Sequence, residues 1–178
     1  ITSYNKLIFK RTLLIWFKIN RYKHIKPVYE RYFDSVAQLG LRYDGMGTEI
    51  HVSREKSDAV SHKLSEAGYN FSTPLVTICP SATYFNKRWI PEGFIETANF
   101  LMREKLAFVV IHGGKEDMTL CNDMAAKIGN GAVSMAGMLS LTESAALLRL
   151  STVVIANDSG LLHLAQSQKR PVVGIYGP

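Results

Sequence analysis

Residues 153–178, VVIANDSGLLHLAQSQKRPVVGIYGP, constrain the fold more than any other part of this chain. An apolar run from Thr152 to Ala156 ends in the polar turn Asn157–Asp158–Ser159–Gly160. Leu161, Leu162, Leu164 and Ala165 then recur at helical spacing, and after Lys169–Arg170–Pro171 a second apolar run extends from Val172 to Tyr176. A short strand, a helix and another short strand in that order read as a βαβ unit, which demands a parallel sheet. The turn then lies at the carboxyl end of a strand and the start of a helix, where open α/β sheets bind ligands. Ser159 can cap that helix, and the free N–H groups of Gly160, Leu161 and Leu162 face outward in a way that favours phosphate. Phosphate alone does not account for Asp158, whose carboxylate suits sugar hydroxyls or a basic group on a ligand. Ordinary turn and cap chemistry explains the same residues without any ligand.

The rhythm of residues 75–152 agrees. Leu75–Cys79 reads as a strand, followed by the loop 80–90 and a helix that Pro91 can open. Residues 107–112 form the next strand, with Gly113–Gly114 behind it, and a helix over 117–128 ends at Gly129–Asn130–Gly131. A short strand at 132–135 and a helix at 141–150 lead back to the central turn. The expectation is five parallel strands and four helices in one doubly wound α/β domain. Its loops rise together at one edge: Thr83, Lys87 and Arg88 after the first strand; Gly113, Gly114, Lys115, Glu116 and Asp117 after the second; Met138 after the third; Asp158, Ser159 and Gly160 after the fourth. A lysine and hydroxyls beside a helix start suit a diphosphate. Glycines let a nucleotide approach the backbone, a carboxylate can take ribose hydroxyls, and a methionine can lie against a base. Gly129 and Gly131 match only part of a dinucleotide fingerprint, since Ser134 stands where its last glycine belongs.

Ahead of residue 75 the pattern weakens. On a helical wheel over residues 5–22, Lys6, Lys10, Arg11, Lys18 and Arg21 gather on one arc, opposite Ile8, Phe9, Ile15, Trp16 and Ile19. Such a helix lies on an anionic membrane surface, or packs its apolar side on a neighbouring domain. A second helix is expected at 28–39, stopped by Gly40, then a short strand at 49–52 and a helix at 57–67 capped by Ser57 and closed by Gly68. Ser53 and Lys56 match the S-x-x-K string of acyl-transfer enzymes, too short a match to carry weight. The 178 residues hold one core, or one domain and part of another. The net charge of +6 points to an anionic partner. Cys79 and Cys121 lack metal-ligand spacing, and Cys79 reads as a buried free thiol. No signal peptide is expected, and Lys10, Arg11 and Lys18 interrupt the one long apolar stretch.

Pro80–Ser81–Ala82 with Lys87–Arg88–Trp89–Ile90–Pro91, His112–Gly113–Gly114, Ala136–Gly137 with Ser140–Leu141, and Asn157–Asp158–Ser159–Gly160 with His163, Pro171 and Gly177–Pro178 occur along the chain. Together these segments resemble glycosyltransferase family 9, the ADP-heptose:lipopolysaccharide heptosyltransferases. The resemblance is good over residues 75–178 and looser before them. It implies a GT-B fold of two Rossmann-like domains. Residues 1–50 would be the tail of the N-terminal acceptor domain, 51–72 a connector, and 73–178 the C-terminal nucleotide-sugar domain, truncated at its end.

The activity implied is metal-independent transfer of heptose, with inversion, from ADP-heptose to the lipopolysaccharide inner core, with no cofactor. Carried onto this chain, Thr83 and Lys87 would hold the diphosphate, joined by Ser159, Gly160 and Leu161. Asp158 would meet the heptose and His163 would support the donor pocket. Gly113, Gly114, Glu116 and Met138 would surround the nucleoside. Family members usually read P-G-A where this chain has Pro80–Ser81–Ala82. The family's catalytic Asp and glycine-containing first loop have no counterpart here, so the base is expected outside this chain, which alone would be inactive. The expected place of work is the cytoplasm, peripherally at the inner face of the bacterial inner membrane. Nucleic acid is not expected as a partner, for no such motif is recognisable. Another GT-B transferase, a sugar-nucleotide epimerase and a non-catalytic nucleotide-binding module stay open as alternatives.

Overall fold

The computed structural model describes residues 7–22, 28–105 and 107–177. The chain divides into two compact units between Gly47 and Thr48.

The first unit holds helices α1 (Ile8–Phe17) and α2 (Val28–Val36). A 3-10 turn, Ala37–Leu39, follows α2 and ends at Gly40, whose φ of 75° suits glycine. Tyr43 packs against Tyr29 and Phe33 with ring centroids 5.0 and 5.5 Å apart. Helix α1 is shorter than its wheel pattern suggests. Lys18 adopts the left-handed conformation and its N–H turns back to the Leu13 carbonyl, so Lys18 and Arg21 lie beyond the helix. Lys6 and residues 23–26 of the basic segment lie outside the described residues. The basic side of the helix itself therefore comes down to Lys10 and Arg11.

The second unit is built on five parallel strands: β1 (Leu75–Cys79), β2 (Phe108–Ile111), β3 (Ala132–Ser134), β4 (Val153–Asn157) and β5 (Val172–Ile175). Their order across the sheet is β3-β2-β1-β4-β5. All five residues of β1 are buried, as a central strand covered on both faces requires. Side chains alternate between two cores. Leu75, Cys79, Val110, Val154 and Ala156 point to one side, where helices α3 (Arg54–Glu66), α6 (Leu141–Leu150) and α7 (Gly160–Ser167) supply Val60, Leu64, Leu147, Leu148 and Leu162. Val76, Ile78, Val109, Ile111 and Ile155 point to the other, against Phe94 and Ala98 of α4 (Pro91–Lys105) and Cys121 and Met124 of α5 (Met118–Ile128). Both cysteines are buried free thiols. Burial pushes the Cys121 thiol up to about 12, which keeps it protonated and unreactive.

Two expectations for residues 48–72 are revised. No strand forms at 49–52, and Ile50 and Val52 instead pack as irregular chain against the α3 side of the core. The helix begins at Arg54 rather than Ser57, because Ser53 takes the extended conformation and its hydroxyl accepts the Lys56 N–H. That earlier start brings Lys56 and Lys63 to Glu143 at the opening of α6, with Nζ–Oε1 separations of 3.9 and 3.4 Å. Residues 51–72, read from sequence as a connector, thus give a helix to the sheet unit's core.

Glu143 also closes a capping box: Ser140 Oγ donates to Glu143 Oε2 at 2.6 Å and the Ser140 N–H donates at 2.9 Å. These bonds, with Lys63 behind them, hold the carboxyl down from 4.5 to about 2. A carboxyl lowered by folding stabilises fully above its unfolded value, and the contribution disappears as pH falls from 4.5 towards 2. Replacing Glu143→Gln should cost about 1 kcal/mol at neutral pH, as for a lost cap. It should also flatten the acid limb of stability between pH 4.5 and 2, measured by urea unfolding across pH.

Candidate functional site

The strand order places a topological switch between β1 and β4. From β1 the chain winds outward through β2 to β3, and then returns to the other side of β1 as β4. Loops leaving the carboxyl ends of these two strands must part, and a crevice opens there. In this protein the crevice is a cleft of about 850 Å³.

Asn157 is the last residue of β4, at the switch point, and is fully buried. Its Nδ2 donates to the Pro80 carbonyl at 2.6 Å, and its Oδ1 accepts the Trp89 N–H at 3.1 Å. One amide thus fastens both ends of the loop that follows β1. Within the loop, Arg88 Nε donates to the Ala82 carbonyl at 2.7 Å. Trp89 stands edge-on to Phe94, with centroids 5.0 Å apart. Thr83 is exposed on the cleft, and Lys87 closes a 3-10 turn, Phe85–Lys87. The Lys87 ammonium lies 2.5 Å from Asp158 Oδ2 and 5.9 Å from the centre of the Tyr84 ring.

On the far side of the crevice, Ser159 precedes α7 in extended conformation. Its hydroxyl makes no cap bond; Oγ is closed off from solvent and has no partner, so the simple capping role fails. Gly160 begins the helix, and a Cβ there would meet nothing within 4 Å, so the space before the helix start is open. Gly160, Leu161 and His163 line the cleft, and His163 Nδ1 sits 3.2 Å from Gln166 Oε1.

The loop after β2 forms the remaining wall. Gly114 N–H donates to Asp117 Oδ2 at 2.9 Å, closing a 3-10 turn over Lys115–Asp117. Side chains at Gly113 or Gly114 would run into Asp117 and Glu116, at 2.7 Å in each case. The two acidic residues therefore fold back over a bare backbone at the cleft wall. Behind them, His112 is buried with Nε2 at 2.9 Å from Ser144 Oγ and Nδ1 at 3.3 Å from the Met135 carbonyl. A carbonyl only accepts, so Nδ1 carries the proton and Nε2 accepts from Ser144. Burial lowers His112 from 6.5 to about 4, so the ring is neutral at physiological pH.

The structure brings eight of the residues given a donor-site role by the family resemblance onto this one cleft: Thr83, Gly113, Gly114, Glu116, Ser159, Gly160, Leu161 and His163. Lys87, Asp158 and Met138 are not part of its lining. Lys87 and Asp158 hold each other at the rim, and Met138 is exposed with its carbonyl accepting from Lys63 Nζ at 3.2 Å. Leu139 and Leu141 line the wall nearby instead. Ser81, Arg88, His112 and Ser144 also line the cleft. Arg88 is among the edge-loop residues already singled out, Ser81 and His112 fall in segments that carry the family resemblance, and no sequence signal marks Ser144.

Comparison with known proteins gives a consistent result. Residues 7–178 match the family model for glycosyltransferase family 9 (heptosyltransferase). The lipopolysaccharide heptosyltransferase 2 of Salmonella typhimurium is 30% identical over 119 residues, covering 64% of this chain and 34% of that protein. The structure of E. coli ADP-heptose LPS heptosyltransferase II superposes with a TM-score of 0.72 at 26% identity, over 85% of this chain and 48% of that one. A family 9 glycosyl transferase from Veillonella parvula shares the fold, with a TM-score of 0.77 at 23% identity over 85% of this chain and 44% of its own. The chain thus spans about a third of the curated relatives and about half of the solved structures it matches.

Two outcomes are expected from this geometry. Asn157→Leu should destabilise the protein by about 2 kcal/mol or more in urea unfolding, because the buried Pro80 carbonyl loses its partner. The His112 ring should titrate near pH 4 by NMR. Its folded value lies below its unfolded one, so stability is intact above 6.5 and declines as pH falls from 6.5 to 4. The full loss is about 3 kcal/mol.

Proposed function

The chain belongs to glycosyltransferase family 9, and on that basis we propose that its cleft binds the ADP-heptose donor of a heptosyltransferase that builds the lipopolysaccharide inner core. The sheet unit is the Rossmann-like domain of a GT-B glycosyltransferase. The observation that carries the reading is the open start of α7 at the switch point, with Ser159 Oγ unpartnered beside it. The first N–H groups of a helix have no intrahelical partners and carry partial positive charge, which favours a phosphoryl group.

Thr83, on the loop opposite, lines the same cleft, and we assign Lys87 of that loop to the same group once it leaves Asp158. In an inverting transfer the departing diphosphate gains negative charge, and fixed donors aimed at it lower the barrier. Lys87 and the α7 start perform that task here. Gly113 and Gly114 allow the nucleoside to approach the backbone, and Glu116 is the carboxylate for its ribose. The carboxylates of Asp158 and Asp117 are engaged, one by Lys87 and the other by the Gly114 N–H. With Asp117 held there and Asp158 assigned to the heptose, we place the base elsewhere in the complete enzyme. Among the described residues no helix is long and apolar enough to cross a membrane. We place the reaction at the inner face of the membrane that carries the acceptor, with Lys10 and Arg11 of α1 facing its anionic surface.

The Lys87–Asp158 pair makes the test specific. With Asp158 in place, the lysine is partly neutralised until a donor arrives. Calorimetry should therefore show Lys87→Ala binding ADP roughly tenfold or more weakly, the typical effect of losing a charged hydrogen bond. Asp158→Asn should bind ADP at least as tightly as wild type while using ADP-heptose poorly. Loss of ADP affinity in Asp158→Asn equal to that in Lys87→Ala would reduce the aspartate to a support for the turn.

A further inference from the structure

Among the described residues of the sheet unit, two buried side-chain polar atoms lack any hydrogen-bond partner: Ser81 Oγ and Ser159 Oγ. Both residues line the cleft, one on the loop after β1 and the other before α7. Buried hydroxyls elsewhere in the unit are satisfied. Ser151 Oγ donates to the Leu147 carbonyl at 3.0 Å and so receives from Thr77 Oγ1 at 2.8 Å. Ser167 Oγ donates to the Leu164 carbonyl at 2.7 Å, and Ser144 Oγ is engaged by His112. A buried polar group without a partner destabilises a fold, and such groups are rare for that reason. Two of them, on opposite walls of one cleft, call for a common cause.

We propose that Ser81 is a ligand-binding residue, whose hydroxyl joins that of Ser159 in donating to the diphosphate of the bound nucleotide. The proposal rests on the reading of the cleft as a nucleotide-sugar site. Four observations place Ser81 at the phosphoryl end rather than at the nucleoside. Its loop carries Thr83 and Lys87 two and six residues further on. The Asn157 amide holds the preceding Pro80 against the end of β4, two residues before Ser159. The helix start beside Ser159 favours negative charge. The walls offered to the nucleoside, Gly113 and Gly114, belong to the separate loop after β2.

Without ligand, neither oxygen is open to solvent, so bulk water does not serve it. Rotation about χ1 carries a serine hydroxyl between staggered positions, enough to turn it out into the cleft. An anionic oxygen in the cleft then receives a hydrogen bond that the free protein forgoes.

Stability and affinity respond in opposite directions if this is correct. In the complete protein, Ser81→Ala removes an unpaired buried oxygen, so the melting temperature without ligand should be unchanged or higher. The same variant should bind ADP roughly tenfold more weakly by calorimetry. Its affinity for adenosine, followed by ligand-observed NMR, should stay within about twofold, since no phosphate is present to lose a donor. A lowered melting temperature would overturn the proposal by making Ser81 a structural residue. So would an unchanged ADP affinity, or an equal loss for adenosine and ADP. Wild-type protein that fails to prefer ADP over adenosine sinks the diphosphate site, and the functional reading with it. Wild type that prefers ADP beside an unaffected Ser81→Ala variant sinks the Ser81 assignment alone.

Discussion

The side chain of Asn157 holds together two loops that the strand order pushes apart. At the end of β4 the chain must leave toward α7, while the loop after β1 leaves in the other sense, and the crevice between them is a consequence of topology. Topology alone makes a gap of no definite shape. The Asn157 amide gives it one, because the Pro80 carbonyl and the Trp89 N–H are satisfied by the same planar group. Such a group cannot follow one loop end without carrying the other. Thr83 and Lys87 inherit their positions from that restraint, as do Ser81 and Arg88. The β1–β4 register, with Cys79 beside Ala156, sets the amide at the right height to reach both.

A second restraint comes from the other side of the sheet unit. Glu143 caps α6 and pairs with Lys63, whose ammonium also takes the Met138 carbonyl. Gly137, at a φ of 71°, sends its N–H to the Gly113 carbonyl at 3.1 Å. A side chain there would press on Met118 at 2.7 Å, so the close approach needs glycine. The loops after β2 and β3 are thereby joined to each other and to α3. The segment of residues 51–72 consequently acts on the site through α3, although α3 itself supplies none of the cleft lining.

Much of the architecture was legible because the strands are short apolar runs bounded by glycine, proline or polar turns. Five strands, their parallel order of appearance and the helices between them follow from that pattern. The start of α3 was not legible, since Ser53 and Ser57 are both good caps and only packing chooses between them. The irregular stretch at 49–52 failed as a strand because the sheet already ends at β5 and β3, and its apolar residues pack as coil. The eight cleft residues read from sequence lie in the loops after β1, β2 and β4 or in the first turn of α7, whose position follows from topology. Those missed have a different origin. His112, just past β2, and Ser144 in α6 are 32 residues apart and meet only in the folded unit. Lys87 and Asp158, 71 residues apart, are each assigned to a ligand by the family resemblance, and their contact with each other is not foreseen. Only the pairing of β1 with β4 brings them together, and no local pattern reports it.

The cleft concentrates what the rest of the unit avoids. Away from it, polar side chains in the core complete their hydrogen bonds, as the Thr77–Ser151–Leu147 chain does. At the cleft there are two orphaned hydroxyls, a histidine held neutral by burial, and bare glycine backbone under two carboxylates. The orphaned hydroxyls lower the stability of the free protein, and departures of this kind collect where a site is held ready for a ligand. The Lys87–Asp158 pair fits the same logic from the opposite direction. At 38% and 26% side-chain exposure, the two charges are only partly desolvated, so the pair is weakly held and easily exchanged for another anion. A fully buried pair would resist that exchange, and a fully solvated lysine would lack a fixed direction. Partial burial lets one lysine be aimed in the empty state and available in the filled one, which a residue facing a departing diphosphate needs.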